Sequence, residues 1–174
     1  MPQFCLHLTK CANRIAEAGD KEWAAKLYKK AEDKAEDFDD FIDLAETIYK
    51  ILGDKVWVKR IYKKAEEHAE SSENLCDIAN CLCDYLGDKI SAKKVYAIAE
   101  KKAEDDTDFS RLADAIHEKL GDKKWIIELC KKAEDKSEES DAFCWVADNI
   151  FKYLGDKEWA RKVYKKADDT AEEI

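Results

Sequence analysis

Five glycines stand at one fixed interval, Gly19, Gly53, Gly87, Gly121 and Gly155, each 34 residues after the last, and the chain has no others. An aspartate follows each of them: Asp20, Asp54, Asp88, Asp122 and Asp156. A strict period of this size is the signature of a repeat array, in which one supersecondary unit is stacked on copies of itself. The 174 residues hold five such units and leave no room for a second domain. The units run approximately over 1–36, 37–70, 71–104, 105–138 and 139–174, as a single repeat domain.

Within a unit the pattern is that of a helical hairpin. Phe41, Leu44, Ala45, Ile48 and Leu52 recur at spacings of three and four, which builds one apolar face of a helix. Gly53 follows, where a left-handed C-terminal cap favours glycine. Asp54 then supplies a carboxylate for the orphan amides of a new helix. Trp57, Val58, Ile61, Tyr62, Ala65 and Ala69 form the second apolar face. The columns persist: Phe41, Leu75, Phe109 and Phe143 in the first helix, and Ala31, Ala65, Ala99, Ala133 and Ala167 in the second. This spacing predicts helices over 4–18, 21–36, 40–52, 55–70, 74–86, 89–104, 108–120, 123–138, 142–154 and 157–172.

Charge narrows the partners. Charged residues make up 41% of the chain and the net charge is −9, with lysine and arginine interleaved among the acids. Nucleic acid and anionic membrane are disfavoured, because phosphate binding needs a basic stripe. No segment approaches the ~20 apolar residues that span a bilayer. The seven cysteines cannot all pair within the chain, and the first residues lack the basic and apolar regions of a secretory signal. A reducing, cytoplasmic setting is the expectation.

The second helix carries a small-aromatic-small signature: Ala24-Tyr28-Ala31, Val58-Tyr62-Ala65, Ala92-Tyr96-Ala99 and Ala160-Tyr164-Ala167, with Ile126-Cys130-Ala133 as a variant copy. With the period, the hairpin and the glycine at the turn, this resembles a tetratricopeptide repeat array over nearly the whole chain. The resemblance implies an all-α fold, a right-handed α-solenoid of five antiparallel helical hairpins. Two departures stand out. The proline that usually ends the family's second helix is absent. In the first helices after Gly19 the large residue and the leucine sit one position earlier, and Glu46, Asn80, Asp114 and Asp148 take the place of the family's small glycine.

The resemblance also implies a peptide groove lined by the first helices. Carried over residue by residue, its positions include Asp40, Asp43, Asp77, Asp84, Tyr85, Arg111, Trp145, Asn149 and Tyr153. Such a groove is acidic in the middle and aromatic toward the C-terminal units. It suits a basic or amphipathic peptide or helix, and its aspartates speak against clamping a terminal carboxylate. Trp145 is alone in a column otherwise held by Asp43, Asp77 and Arg111, so a core role is disfavoured there.

No chemistry of another kind is expected. Cys81 and Cys83 point to different sides of a helix, and Cys76 and Cys83 are separated by ~10 Å of rise, so neither pair can hold one zinc ion. His7, His68 and His117 lack paired ligand spacing. There is no phosphate loop or nucleophile arrangement, so neither catalysis nor a cofactor or metal is predicted.

The function expected is a protein-interaction scaffold. The alternative is a structural or self-assembling array with no peptide ligand, natural or designed. The verbatim repeat of Gly-Asp-Lys-Glu-Trp-Ala at 19–24 and 155–160 fits a designed array, while scattered cysteines and an irregular first unit favour a natural chain. The last unit ends in Ala171-Glu172-Glu173-Ile174 without an evident polar cap. Trp159, Val163 and Tyr164 are therefore expected to leave an apolar face for end-to-end self-association.

Overall fold

The structure, a computed structural model, describes residues 3–172. The expected ends of the chain at Glu173 and Ile174 lie outside the described residues. Those described form ten α-helices and no strand: α1 Gln3–Glu17, α2 Lys21–Glu32, α3 Phe38–Leu52, α4 Lys55–Glu67, α5 Ser72–Cys81, α6 Lys89–Lys102, α7 Asp106–Lys119, α8 Lys123–Lys136, α9 Ser140–Asn149 and α10 Lys157–Glu172. Each odd helix packs on the even helix that follows it, giving the five hairpins of an all-α helical repeat. None of the helices is long and apolar enough to cross a membrane.

The turn chemistry works as the period predicts. Gly53 and Gly155 sit at φ 69°, in the left-handed region that other residues rarely enter. Asp54 Oδ1 accepts from the Trp57 amide at 2.9 Å, and Asp20, Asp88, Asp122 and Asp156 cap their helices in the same way. The first helices begin two residues earlier than expected, because a second set of caps recurs at 34-residue spacing: Asp37, Ser71, Asp105 and Glu139. Ser71 and Asn74 form a reciprocal capping box, with Asn74 N–H to Ser71 Oγ at 3.1 Å and Ser71 N–H to Asn74 Oδ1 at 3.3 Å.

Two first helices are not regular to their ends. α5 passes into a π-helical turn over Leu82–Leu86, and α9 does so over Ile150–Leu154. In α3 and α7 the amides of Gly53 and Gly121 also reach back five residues, to the carbonyls of Ile48 at 3.2 Å and Ile116 at 2.8 Å. One extra residue between the apolar face and the glycine is absorbed by widening the last turn. The one-position offset in the sequence is thus taken up within each helix.

The chain divides into two compact units, one formed by residues up to Glu70 together with Asp84–Gly87, the other by Ser71–Cys83 together with residues from Asp88 on. In the first unit Phe41, Leu44, Ala45 and Ile48 of α3 face Val58, Ile61, Tyr62 and Ala65 of α4, all at most 4% exposed. In the second, Leu75, Ile78, Leu112, Ile116, Ile126, Leu129, Val146 and Ile150 form the core. The alanine column is buried throughout, from Ala31 to Ala167, which brings the helices of each hairpin close together.

Polar residues on the first helices have a structural use. Tyrosines of the second helices donate to them, the buried Tyr28 to Asn13 Oδ1 at 2.6 Å and the buried Tyr96 to Asn80 Oδ1 at 2.5 Å, and the more exposed Tyr164 to Asp148. A buried hydroxyl left without a partner would cost about 1–3 kcal/mol, so the polar residue and the tyrosine stabilise each other.

A second bonded motif joins successive repeats. Glu32 is only 5% exposed, yet its carboxylate accepts from Trp57 Nε1 at 2.7 Å and from Lys64 Nζ at 2.8 Å. Glu100 holds Trp125 Nε1 at 2.8 Å and Lys132 Nζ at 2.6 Å. Glu134 does the same with Trp159 Nε1 at 2.7 Å and Lys166 Nζ at 2.5 Å. Trp57, Trp125 and Trp159 are therefore inter-repeat clamps.

Candidate peptide-binding cleft

Helix starts in this chain gather carboxylates, since acidic side chains satisfy exposed amides and the positive end of the helix dipole. In the second unit two such starts, those of α7 and α9, lie beside the preceding joints. They frame an open cleft of about 820 Å³. Glu104, Asp105, Asp106, Glu138, Glu139 and Asp141 line it, against a single cation, Lys136. Trp145, 45% exposed, forms part of the wall.

Not all of these carboxylates are free to act. Asp105 Oδ1 accepts the Asp108 amide at 2.9 Å, which commits it to the cap. Glu139 stands in the cap position of α9 but makes no side-chain cap bond. Burial, together with the neighbouring Asp105 and Glu139 carboxylates, raises the Asp106 pKa above the usual aspartate value. Like charges are crowded here around a single cation, and a bound cationic group would relieve that crowding.

The groove residues read from the sequence are placed as follows. In the first unit Asp43 and Asp84 are exposed. The Asp43 carboxyl is raised by desolvation and by Glu46 and Asp39. Tyr85 is half-buried, its ring 5.1 Å from that of Tyr49. Asp40 departs from expectation. It is completely buried, and its Oδ2 accepts the Glu36 amide at 3.1 Å, so it ties the joint before α3 and does not face a ligand.

In the second unit Asp77 and Trp145 are exposed, and Arg111 is half-buried in an ion pair with Glu73 at 3.1 Å. Asn149 and Tyr153 depart from expectation. Asn149 is 6% exposed and Tyr153 7%, because the widened turn after α9 carries Tyr153 inward. Its ring stacks on His117 at 4.3 Å and its hydroxyl accepts from Lys152 Nζ at 2.8 Å. Trp145 is therefore the aromatic of this set that is open to a partner.

The cleft carboxylates were not among the expected groove residues. Their signal is present in the chain as two acidic joints at one period, Glu104-Asp105-Asp106-Thr107-Asp108 and Glu138-Glu139-Ser140-Asp141. They belong to the joints, where the family groove has no positions.

Of the residues expected at the C-terminal face, Tyr164 is exposed as expected, and the other two are more covered. Trp159 is half-buried and its indole is held by Glu134, and Val163 is buried at 0% exposure. The exposed apolar side chains in this region are Tyr164 at 40% and Phe151 at 51%.

No disulfide links the seven cysteines, and among the described residues no group of three or more His, Cys, Asp or Glu is placed to hold a metal ion. No family model matches the chain. No curated protein matches it, and no solved structure does.

Proposed function

We propose that this chain is a non-catalytic protein-interaction module of the tetratricopeptide kind, which takes a basic or amphipathic peptide in the acidic cleft beside Trp145. The observation that carries the reading is an exposed indole on the wall of a cleft with six carboxylates and one cation. Lysine or arginine side chains of a ligand would pair with Glu138, Glu139 and Asp141, and an apolar or cationic group would rest on the indole. Exposed aromatics of this type dominate binding energy at interfaces. The charge pairs set the rate of encounter and the choice of partner. Seven cysteines without a disulfide fit a reducing compartment, with the cytoplasm as the proposed location.

Titration of a lysine-rich amphipathic peptide, followed by fluorescence anisotropy, tests this. Binding is expected to weaken by about tenfold or more in Trp145→Ala. It is also expected to weaken with added salt, through screening of the carboxylates. Binding that is indifferent to Trp145→Ala and to Glu138→Lys with Glu139→Lys rejects the cleft.

A further inference from the structure

We propose that the chain binds a second copy of itself head to tail, through the clamp that already joins its own repeats. Within the chain the clamp occurs three times with one spacing. A glutamate meets a tryptophan 25 residues later and a lysine 32 residues later: Glu32 with Trp57 and Lys64, Glu100 with Trp125 and Lys132, Glu134 with Trp159 and Lys166. The two donors are seven residues apart, two turns of helix, so they present one face to one carboxylate.

Trp23 and Lys30 on α2 have the same seven-residue spacing and occupy the same two columns. Trp23 is 54% exposed, and among the described residues no carboxylate meets its indole N–H or the Lys30 ammonium. Asp168 on α10 stands in the column of Glu32, Glu100 and Glu134, is exposed, and has no ion pair among the described residues. The chain thus carries an unfilled donor pair on α2 and an unfilled acceptor on α10, each in the register of the working clamps, while Glu66, in the same column, has Ser91 and Ile98 at the tryptophan and lysine positions.

A further column repeats the match. Lys93 Nζ lies 5.6 Å over the Trp125 ring, and 32 residues separate the two, just as in the glutamate–lysine pairs. Arg161 occupies the Lys93 column on α10, so in the same register its guanidinium would cover the Trp23 ring of the second copy. Donor, acceptor and cation–π partners are all complementary between the two surfaces. The aspartate is one methylene shorter than the glutamates, which makes the intermolecular clamp weaker than the internal ones. A contact between two different surfaces leaves each copy with an unused partner, so association need not stop at two. This inference is independent of the acidic cleft.

Sedimentation velocity of the whole chain over a range of concentrations tests it. The wild type is expected to show a weight-average mass that rises with concentration. Lys30→Glu and Asp168→Lys each place like charges across the contact, and each is expected to weaken association by about tenfold or more. An equimolar mixture of these two variants pairs the charges again and is expected to recover assembly. Trp145→Ala, in the cleft, is expected to leave it unchanged. All of these positions are exposed, and circular dichroism checks that the helices persist. A wild type that stays monomeric at high concentration overturns the proposal, as do single variants that still assemble or a mixture that does not recover.

Discussion

The Tyr96 hydroxyl donates to Asn80 Oδ1 at 2.5 Å, so the second helix of a hairpin reads a polar residue on the first. Tyr28 with Asn13 and Tyr164 with Asp148 repeat the pairing. In the fourth hairpin the tyrosine is replaced by Cys130, and the facing Asp114 keeps a buried Oδ1 without a partner. The fourth hairpin lacks the tyrosine side of this latch.

Restoring that latch is a direct test. Cys130→Tyr is expected to raise stability by about 1 kcal/mol, the net worth of a hydrogen bond, since the other hairpins hold a tyrosine in this column. Tyr96→Phe is expected to lower it by a similar amount. Urea denaturation reads both. A Cys130→Tyr variant less stable than the wild type would mean that the fourth hairpin has closed around the smaller side chain.

The two roles assigned to tryptophan separate in stability. Trp57→Phe keeps most of the ring but deletes the donor to the nearly buried Glu32, and is expected to cost about 1.5–3 kcal/mol, as for hydrogen bonds to charged groups. Trp145→Ala removes an exposed side chain with no structural bond and is expected to stay within about 0.5 kcal/mol. Denaturation midpoints that order the two variants the other way would reverse the assignment of packing and binding tryptophans.

Fold class and hairpin boundaries were legible because glycine and aspartate encode the turns locally: a left-handed cap, then a carboxylate N-cap, at every period. Tryptophan was legible as a member of an apolar helix face. The glutamates that hold it were hidden, since 25 residues separate the partners and a glutamate looks like any solvated acid until a neighbour buries it. Asp40 and Tyr153 show the opposite failure. Family columns placed them in a groove, but a cap bond buries the first and a widened helical turn rotates the second onto His117. Register shifts of one residue change which side chains face out, and they show only weakly in periodicity.

Acid should weaken the inter-repeat clamp. Burial works to raise the Glu32 carboxyl, but Lys64, Trp57 and Arg60 outweigh it and hold the pKa below its ordinary value of 4.5. A carboxylate held lower in the folded state than in the unfolded state contributes stability above the unfolded pKa, and that contribution is lost as pH falls through the folded value. Stability is therefore expected to fall below about pH 4.5, with a shallower decline in Glu32→Gln. Urea midpoints measured across this range read the difference between the two curves. Identical slopes would show that the ion pairs around Glu32 add nothing.

Cysteine reactivity should follow burial. Burial is the leading cause that raises the Cys76 and Cys130 thiols to about 12 and Cys5 to about 11, with nearby carboxylates such as Asp77, Asp114 and Asp40 adding to it. The thiolate is the nucleophile, so at pH 8 a thiol at 12 is ionised in only about one molecule in ten thousand, whereas an ordinary thiol near 8.5 is ionised in about a quarter. Cys11 is exposed and carries no such burial. Alkylation of the native protein at pH 8, read by peptide mass spectrometry, is expected to label Cys11 first and to spare Cys5, Cys76 and Cys130 until denaturant is added. Because Cys5 lies on the same helix as Cys11, local fraying of α1 would show as early labelling at Cys5 while Cys76 and Cys130 stay protected. Early labelling of Cys130 would instead mean that the fourth hairpin opens, as its missing tyrosine latch would allow.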